Sequence, residues 1–484
     1  VASLNNEITQ GAKQKFDLKY ANRALVLFAV LSAFVLYVDI MLTPSLPKIG
    51  SEFGVNTAQV SLILSLYTVF GTAINPIVGR MGDIYGKKRI LTYVLIIYSV
   101  MVTTTSFAPN FEILLISRTF QGIGLGIFPL AFSLIREEFP RELVPRAQGL
   151  ISAMFGAGTA IGLPVGAFVA NSYGWQANYH IATPSIVALT VLMIFYVKES
   201  AYKNNEAQMD YVGAGLLGVS LGMIVFGLSE GSTWGWTSVP VLGLILGGAS
   251  LFAPLVPFER RFKSPLLNFR LLKTRNVFIS NAVGLVFGMA MFLAFQAISY
   301  KLELPPPAGY GFDILTTGFY LLPLAVSLLV VTYPVGILIS KVGVKPFLFL
   351  GSIVGAAGFF LMSAATSAAQ IAGYLVVASV GLGMLMVSTQ NLLVLTVETK
   401  EMGLATSMNT VFRNIGSSLG APLAGSLLST YTVTRLAGSV PVSFPSQAAF
   451  QYSFYIAVAG FVFAFIFCLF SQEVLGKKAK LRTQ

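Results

Sequence analysis

Long apolar runs alternate with short polar connections from residue 24 to residue 471. A membrane-crossing helix needs about 20 mostly apolar residues, and the pattern predicts fourteen of them. They run 24 to 46 (span 1), 57 to 79 (span 2), 90 to 108 (span 3), 112 to 134 (span 4), 146 to 170 (span 5), 179 to 197 (span 6) and 211 to 230 (span 7). The rest run 239 to 257 (span 8), 276 to 299 (span 9), 315 to 339 (span 10), 346 to 366 (span 11), 370 to 396 (span 12), 403 to 430 (span 13) and 451 to 471 (span 14). The longest connections, 198 to 210 and 259 to 275, are too short for a soluble domain. The second of them either lies along the membrane surface, with Leu266, Leu267, Phe269, Leu271 and Leu272 in the lipid, or forms a solvated loop.

Composition agrees with a lipid solvent. The chain is 55% apolar and 10% charged, with a mean hydropathy of +0.77, against about 25% charged in a soluble domain. One cysteine, Cys468, and one histidine, His180, exclude a disulfide framework and a His/Cys metal centre, and leave little for histidine acid–base catalysis. His180 reads as an interfacial residue rather than a proton relay. A net charge of +12 would suggest nucleic acid in a soluble protein; here the placement of each cation matters instead. An even number of spans puts both termini on one side. If that side is the cytoplasm, it holds every Lys and Arg, Arg146 at the very edge of span 5 included, except Lys48, Lys301 and Arg435 outside and Arg118 and Arg413 within spans. The positive-inside rule then orients the chain in the cell membrane with both termini cytoplasmic. The first apolar run is too long for a signal peptide and lacks a small-residue cleavage site, so it is expected to be retained as span 1.

Comparison of the two ends of the chain reveals a repeat. Gly158-x-x-x-Gly162-x-Pro164 in span 5 returns as Gly416-x-x-x-Gly420-x-Pro422 in span 13, at an offset of 258. Gly124-Leu125-Gly126 returns as Gly381-Leu382-Gly383, and Gly79, Asp83, Gly86 and Lys88 return as Gly336, Ser340, Gly343 and Lys345, both at 257. The same offset sets Asp39 against Gln296, which would put a polar group of each half at a central cavity. The reading is a 6+2+6 arrangement: a cytoplasmic arm 1–23, an N-terminal bundle 24–198, two extra helices with linkers 199–275, a C-terminal bundle 276–472 and a cytoplasmic tail 473–484. Spans 7 and 8 have no counterpart and are expected outside the pseudo-symmetric core. Two repeated bundles that rock about a mid-membrane site make a carrier; nothing suggests a channel's selectivity ring.

The connection after span 2 reads Gly79-Arg80-Met81-Gly82-Asp83-Ile84-Tyr85-Gly86-Lys87-Lys88-Arg89. It resembles the major facilitator superfamily signature G-x-x-x-D-x-x-G-[RK]-[RK]. As a gate latch, Gly79 would permit close helix contact, Gly86 a tight turn, and Asp83 would face a helix N-terminus or a cation across the bundle interface. A plain basic loop is the alternative. Arg118-Thr119-Phe120-Gln121-Gly122-Ile123-Gly124 in span 4 resembles that family's R-x-x-Q-G-x-G motif. An arginine within a span costs about 2.5 to 3.5 kcal/mol on insertion scales, so it should face a partner or a polar cavity unless it snorkels. Span 5, with Gly149, Gly158, Gly162, Pro164 and Gly166, resembles the antiporter motif G-x8-G-x3-G-P-x2-G-G, departing from it at Leu163 and Ala167. Such glycines would seal the bundle interface, or serve ordinary packing.

Asp39, in YVDIMLTPSLP, is the only acid well inside a span. Its surroundings resemble the family's helix 1 motif, with Met41 and Ser45 in place of threonine and alanine. Beside Arg118 it either exchanges a proton as its surroundings change or stays charged as a structural strut. Gln121, Gln296, Gln390, Asn391, Arg413 and Asn414 are candidates to line the substrate cavity, though each also suits an interhelical hydrogen bond. No P-loop is present, so a proton gradient rather than ATP is the expected energy source, with no cofactor and no metal. The resemblance covers essentially the whole chain and implies an all-α major facilitator fold of fourteen transmembrane helices. Its drug:proton antiporter type implies a non-enzymatic carrier, a monomer that exports hydrophobic or cationic compounds in exchange for protons. A carrier of one, perhaps anionic, metabolite and a non-transporting membrane sensor are the alternatives.

Overall fold

A computed structural model describes residues 17–140, 143–200, 209–262, 265–397, 401–437 and 440–473. Most of the N-terminal arm, the linker 201–208, Lys263 and the tail from 474, with Lys477, lie outside the described residues.

Twelve described helices are long and apolar enough to cross a membrane. Helices also occupy spans 5 and 13, Val144–Tyr173 and Met402–Thr430, but are not among the twelve, so by this measure the described count stands at twelve rather than fourteen. Most helices run past their apolar stretches: span 2 continues to Tyr85, span 4 to Glu138 and span 9 to Glu303. A helix needs apolar residues only where it meets lipid, so the overrun marks protein and water at the ends. Three spans are interrupted. Span 1 breaks between Ile40 and Leu46, where Pro44 and Pro47 begin a new turn and then a new helix; span 4 tightens into a 3-10 turn over Gly122–Gly126; span 8 breaks at Leu251. An antiparallel hairpin, β1 (Thr432–Ala437) with β2 (Val440–Pro445), joins spans 13 and 14, a small exception to the all-helical plan.

Within the first half, span 1 packs on span 5 and span 3 on span 6; within the second, span 9 packs on span 13 and span 11 on span 12. Between the halves, span 2 packs on span 13 and span 5 on span 10. One end of this seam is hydrogen-bonded shut. Thr57 Oγ1 donates to the Gly425 carbonyl (3.0 Å), the Ala58 amide to Ser429 Oγ (3.0 Å), Gln296 Nε2 to the Thr57 carbonyl (3.1 Å) and Ser299 Oγ to the Thr43 carbonyl (3.2 Å).

One expectation gains detail and another changes. Span 7 packs on both span 2 and span 13 and so bridges the seam. Asn56 Nδ2 donates to Thr233 Oγ1 (3.0 Å), Gln59 Nε2 to Glu230 Oε1 (3.3 Å), and Trp236 Nε1 to Thr430 Oγ1 of span 13 (3.1 Å). Span 8 is the outlying one, with only 17% of its apolar window buried. The segment after span 8 does not put its leucines in lipid: Leu266, Leu267 and Leu271 are buried against Leu217, Leu221, Leu255 and Val277. An amphipathic stretch buries its apolar face against whatever apolar surface is nearest, and here that surface is protein.

Candidate functional site

Span 4 places its arginine with care. Asn110 Oδ1 caps the helix by accepting from the Ile113 amide (2.9 Å), and Gly122, against the Tyr67 carbonyl and Gly71, lets span 4 lie close on span 2. Arg118 is 1% exposed, which excludes a snorkelling side chain. Its Nη2 donates to Asp39 Oδ1 (3.3 Å) and to the Asp39 carbonyl (3.2 Å), and its Nη1 donates to Gln121 Oε1 (3.0 Å). Because the helix of span 1 ends at Ile40, the Asp39 carbonyl lies among its last, unsatisfied acceptors and is free to take the guanidinium. The guanidinium carbon lies 4.8 Å from the centre of the Tyr67 ring, and buried Tyr98 and Tyr179 complete the surroundings. Gln121 is fully buried and is itself held by its Nε2, which donates to the Met101 carbonyl (3.2 Å) and to Thr105 Oγ1. It positions Arg118 rather than lining a cavity, a correction to its expected place.

The loop after span 2 is built differently from the expected latch. Gly86 takes the tight turn at φ +111°. Asp83 lies 3.5 Å from Lys87 one turn away rather than across the bundle interface, and Lys87 is ion-paired with Glu137 of span 4. At Gly79 a Cβ would meet nothing within 4 Å, so the expected close contact is not made in this conformation; Gly71 and Gly82 make the close approaches to span 4 instead. The start of span 3 is capped by a residue the sequence did not single out. Glu199, just past span 6, accepts from the amides of Lys88 (2.9 Å) and Arg89 (3.0 Å). The second half repeats the device: Gly343 turns at φ +100°, and Glu473 accepts from the amides of Val344 (3.2 Å) and Lys345 (3.0 Å). Two short motifs at one offset thus fold alike.

The glycines of span 5 seal a contact, but within the first half. A Cβ at Gly158 would meet the Ala33 carbonyl and Leu36, and one at Gly162 would meet Tyr37 (3.2 Å), so the motif packs span 5 on span 1 rather than on the other bundle. Pro164 lies inside this helix, which continues to Tyr173; the surroundings of Gly149 lie outside those described. Gly416 and Gly420 pack span 13 on span 9 in the same manner, against the carbonyls of Leu285 and Met289.

This repeated packing corrects the pairing of spans 1 and 9. Gly158 faces Ala33 where Gly416 faces Leu285, and Gly162 faces Tyr37 where Gly420 faces Met289. Both pairs differ by 252 residues, not 257, so the counterpart of Asp39 is Met291. Gln296 stands more than a turn nearer the sealed end, fully buried and bonded to Thr57. The remaining C-terminal candidates are half-buried: Gln390 Nε2 donates to Asn409 Oδ1 (2.9 Å), Asn391 Nδ2 donates to the Val387 carbonyl (2.9 Å), and no hydrogen bond of the Asn414 or Arg413 side chain is found among the described residues. Asn409, which the sequence did not single out, is 1% exposed and donates to the Ser280 carbonyl (2.9 Å), tying span 13 to span 9.

The Major Facilitator Superfamily profile matches residues 28–421 and 308–484, nearly the entire described chain. The chain belongs to the major facilitator superfamily. It is therefore a multi-pass membrane protein of a transporter family, not an enzyme. It is 25% identical over 413 residues to the multidrug transporter protein MdtP of Bacillus subtilis, covering 84% of this chain and 75% of that one. It is 26% identical over 383 residues to multidrug resistance protein 3 of the same organism, covering 77% and 73%. An uncharacterized MFS-type transporter of Mycobacterium tuberculosis is 29% identical over 426 residues; the match covers 84% of this chain but only 60% of that longer protein. Among solved structures, a bacterial homologue of the human lysosomal transporter Spinster superposes with a TM-score of 0.68 at 16% identity, covering 94% of this chain and 97% of that one. A human organic anion transporter superposes with a TM-score of 0.63 at 13% identity, covering 93% and 99%.

Proposed function

We propose that this major facilitator is a fourteen-span exporter of hydrophobic compounds, cationic ones included, driven by proton exchange and working as a monomer in the cell membrane with both termini cytoplasmic. The observation that carries the reading is the buried Asp39–Arg118 pair, joined at 3.3 Å and backed by Gln121. A buried charge pair is costly to assemble, and its retention inside a span suits a group that must change charge during work. Protonation of Asp39 from the outside face would neutralise the carboxylate, leave Arg118 charged without its counterion, weaken the hold of Asp39 on span 4, and release substrate outward. Return of that proton to the cytoplasm would reset the pair. The distant multidrug relatives support the export direction and the substrate class.

The test is substrate-driven proton movement in proteoliposomes loaded with a pH dye, offered lipophilic cations, neutral amphiphiles and organic anions in turn. Proton flux with the cations and amphiphiles is the expected result; substrate movement that ignores the pH gradient would contradict the reading.

One observation favours a second reading. Arg413 of span 13 has no ion pair among the described residues, whereas Arg118 is neutralised by Asp39. An unbalanced cation at membrane depth suits an anionic substrate group. Transport confined to organic anions in the same panel, lost in Arg413→Ala, would install that reading in place of the first.

A further inference from the structure

The two extra helices meet at a pair of acids. Asp210 caps the start of span 7, its Oδ1 accepting from the Gly213 amide at 2.7 Å. Glu259 closes span 8, its Oε2 accepting from the Leu267 amide at 3.3 Å. Both residues are buried, Asp210 to 6% exposure and Glu259 to 1%. The remaining oxygens, Asp210 Oδ2 and Glu259 Oε1, are buried and meet no donor, and the two helices that carry the acids pack on one another, so that the carboxyl groups face each other. Around them stand Leu217, Leu221, Leu255, Leu266 and Leu271.

No cation balances this pair among the described residues. Arg260 lies over the Phe269 ring at 6.0 Å and Arg275 over the Phe470 ring at 5.8 Å. Arg261, Arg270 and Lys273 are exposed, and the exposed Tyr211 turns its hydroxyl to the Met209 sulfur. Two facing carboxylates in an apolar cluster would repel strongly, whereas a carboxyl and a carboxylate sharing one proton make a charge-assisted hydrogen bond.

We propose that Asp210 and Glu259 bind one proton between them, forming a proton site separate from Asp39 that fastens spans 7 and 8 to the linker at 265–272. Span 7 bridges the two halves at the seam, so the site governs how firmly that bridge is tied to the segment leading into span 9. Loss of the proton leaves two like charges in an apolar cluster and parts the three elements.

The experiment follows hydrogen exchange of the Leu267 amide in the purified full-length protein across a pH series, corrected for intrinsic exchange, for wild type, E259Q and D210N. In each variant the new amide donates to the remaining carboxylate without needing a proton. Wild type should lose protection several-fold as pH rises, while both variants keep it throughout. Infrared spectra should show a protonated-carboxyl stretch in wild type that titrates over the same pH range and is missing from both variants. Identical pH dependence in wild type and variants would overturn the proposal. So would a wild-type transition that follows sodium or magnesium concentration at fixed pH, since the pair would then hold a metal cation.

Discussion

The two halves share a frame and differ in what the frame carries. In both, a glycine at positive φ ends the second span, a distant glutamate caps the next helix, and two glycines four residues apart press one span on another. The chemistry is one-sided. Asp39, Tyr67, Arg118 and Gln121 of the first half answer to Met291, Leu324, Leu375 and Ala378 of the second, of which Leu324, Leu375 and Ala378 are fully buried. A position filled by leucine in one half shows that packing there does not require a charge. The charged set in the other half is therefore retained at a cost to stability, and it needs a functional reason.

The largest effect that tests this comparison is on Arg118. Arg118→Ala strands a buried carboxylate and should cost about 3–5 kcal/mol, read as thermal unfolding in detergent. Leu375→Met at the matching place should cost less than about 1.5 kcal/mol. Combining Asp39→Asn with Arg118→Met should recover most of the lost stability without restoring proton coupling; a recovered flux would make the pair a strut.

The shared frame predicts matched costs. Gly86→Ala and Gly343→Ala each force a side chain into a left-handed turn facing a carboxylate, at about 1–2 kcal/mol. Glu199→Gln and Glu473→Gln should each cost about 0.3–1 kcal/mol by weakening a charged cap. Unequal losses at these twinned positions, measured by the same unfolding, would break the structural equivalence.

Smaller effects probe the seam. Gln296→Ala removes one bond of the sealed end, worth about 0.6 kcal/mol, and should widen the spin-label distance distribution across that end. Gly79→Ala should change stability by less than about 0.5 kcal/mol, because nothing lies within reach of the added methyl. If the opposite conformation closes a helix on Gly79, the same change slows transport; unaltered transport removes Gly79 from the gate.

Much of this was legible in the sequence where residue type is forced. Apolar runs long enough for lipid located the helices, and Gly86 and Gly343 announced their turns because few other residues adopt that backbone. Arg118 demanded a partner, and Asp39 was the one acid deep enough to supply it. The rest depended on contacts between segments distant in the chain. Glu199 and Glu473 carry no motif of their own in the sequence; only the fold brings them to the amides of another helix. Span 1 carries no glycine anchor, so the sequence aligns it with span 9 only through the offset of other spans, which sets Gln296 rather than Met291 against Asp39. For Gln121 and the leucines of 265–272 the alternatives stay open in the sequence, because it shows polar or amphipathic character but not which surface will cover it.

The central claim is that proton coupling resides in the first half alone. The most direct measurement is substrate-driven proton flux in proteoliposomes for wild type, Asp39→Asn and Arg413→Ala, with the amount of folded protein matched. The account predicts that Asp39→Asn abolishes proton flux, while Arg413→Ala leaves the ratio of protons to substrate unchanged. Full proton exchange in Asp39→Asn, or a ratio altered by Arg413→Ala, would contradict it.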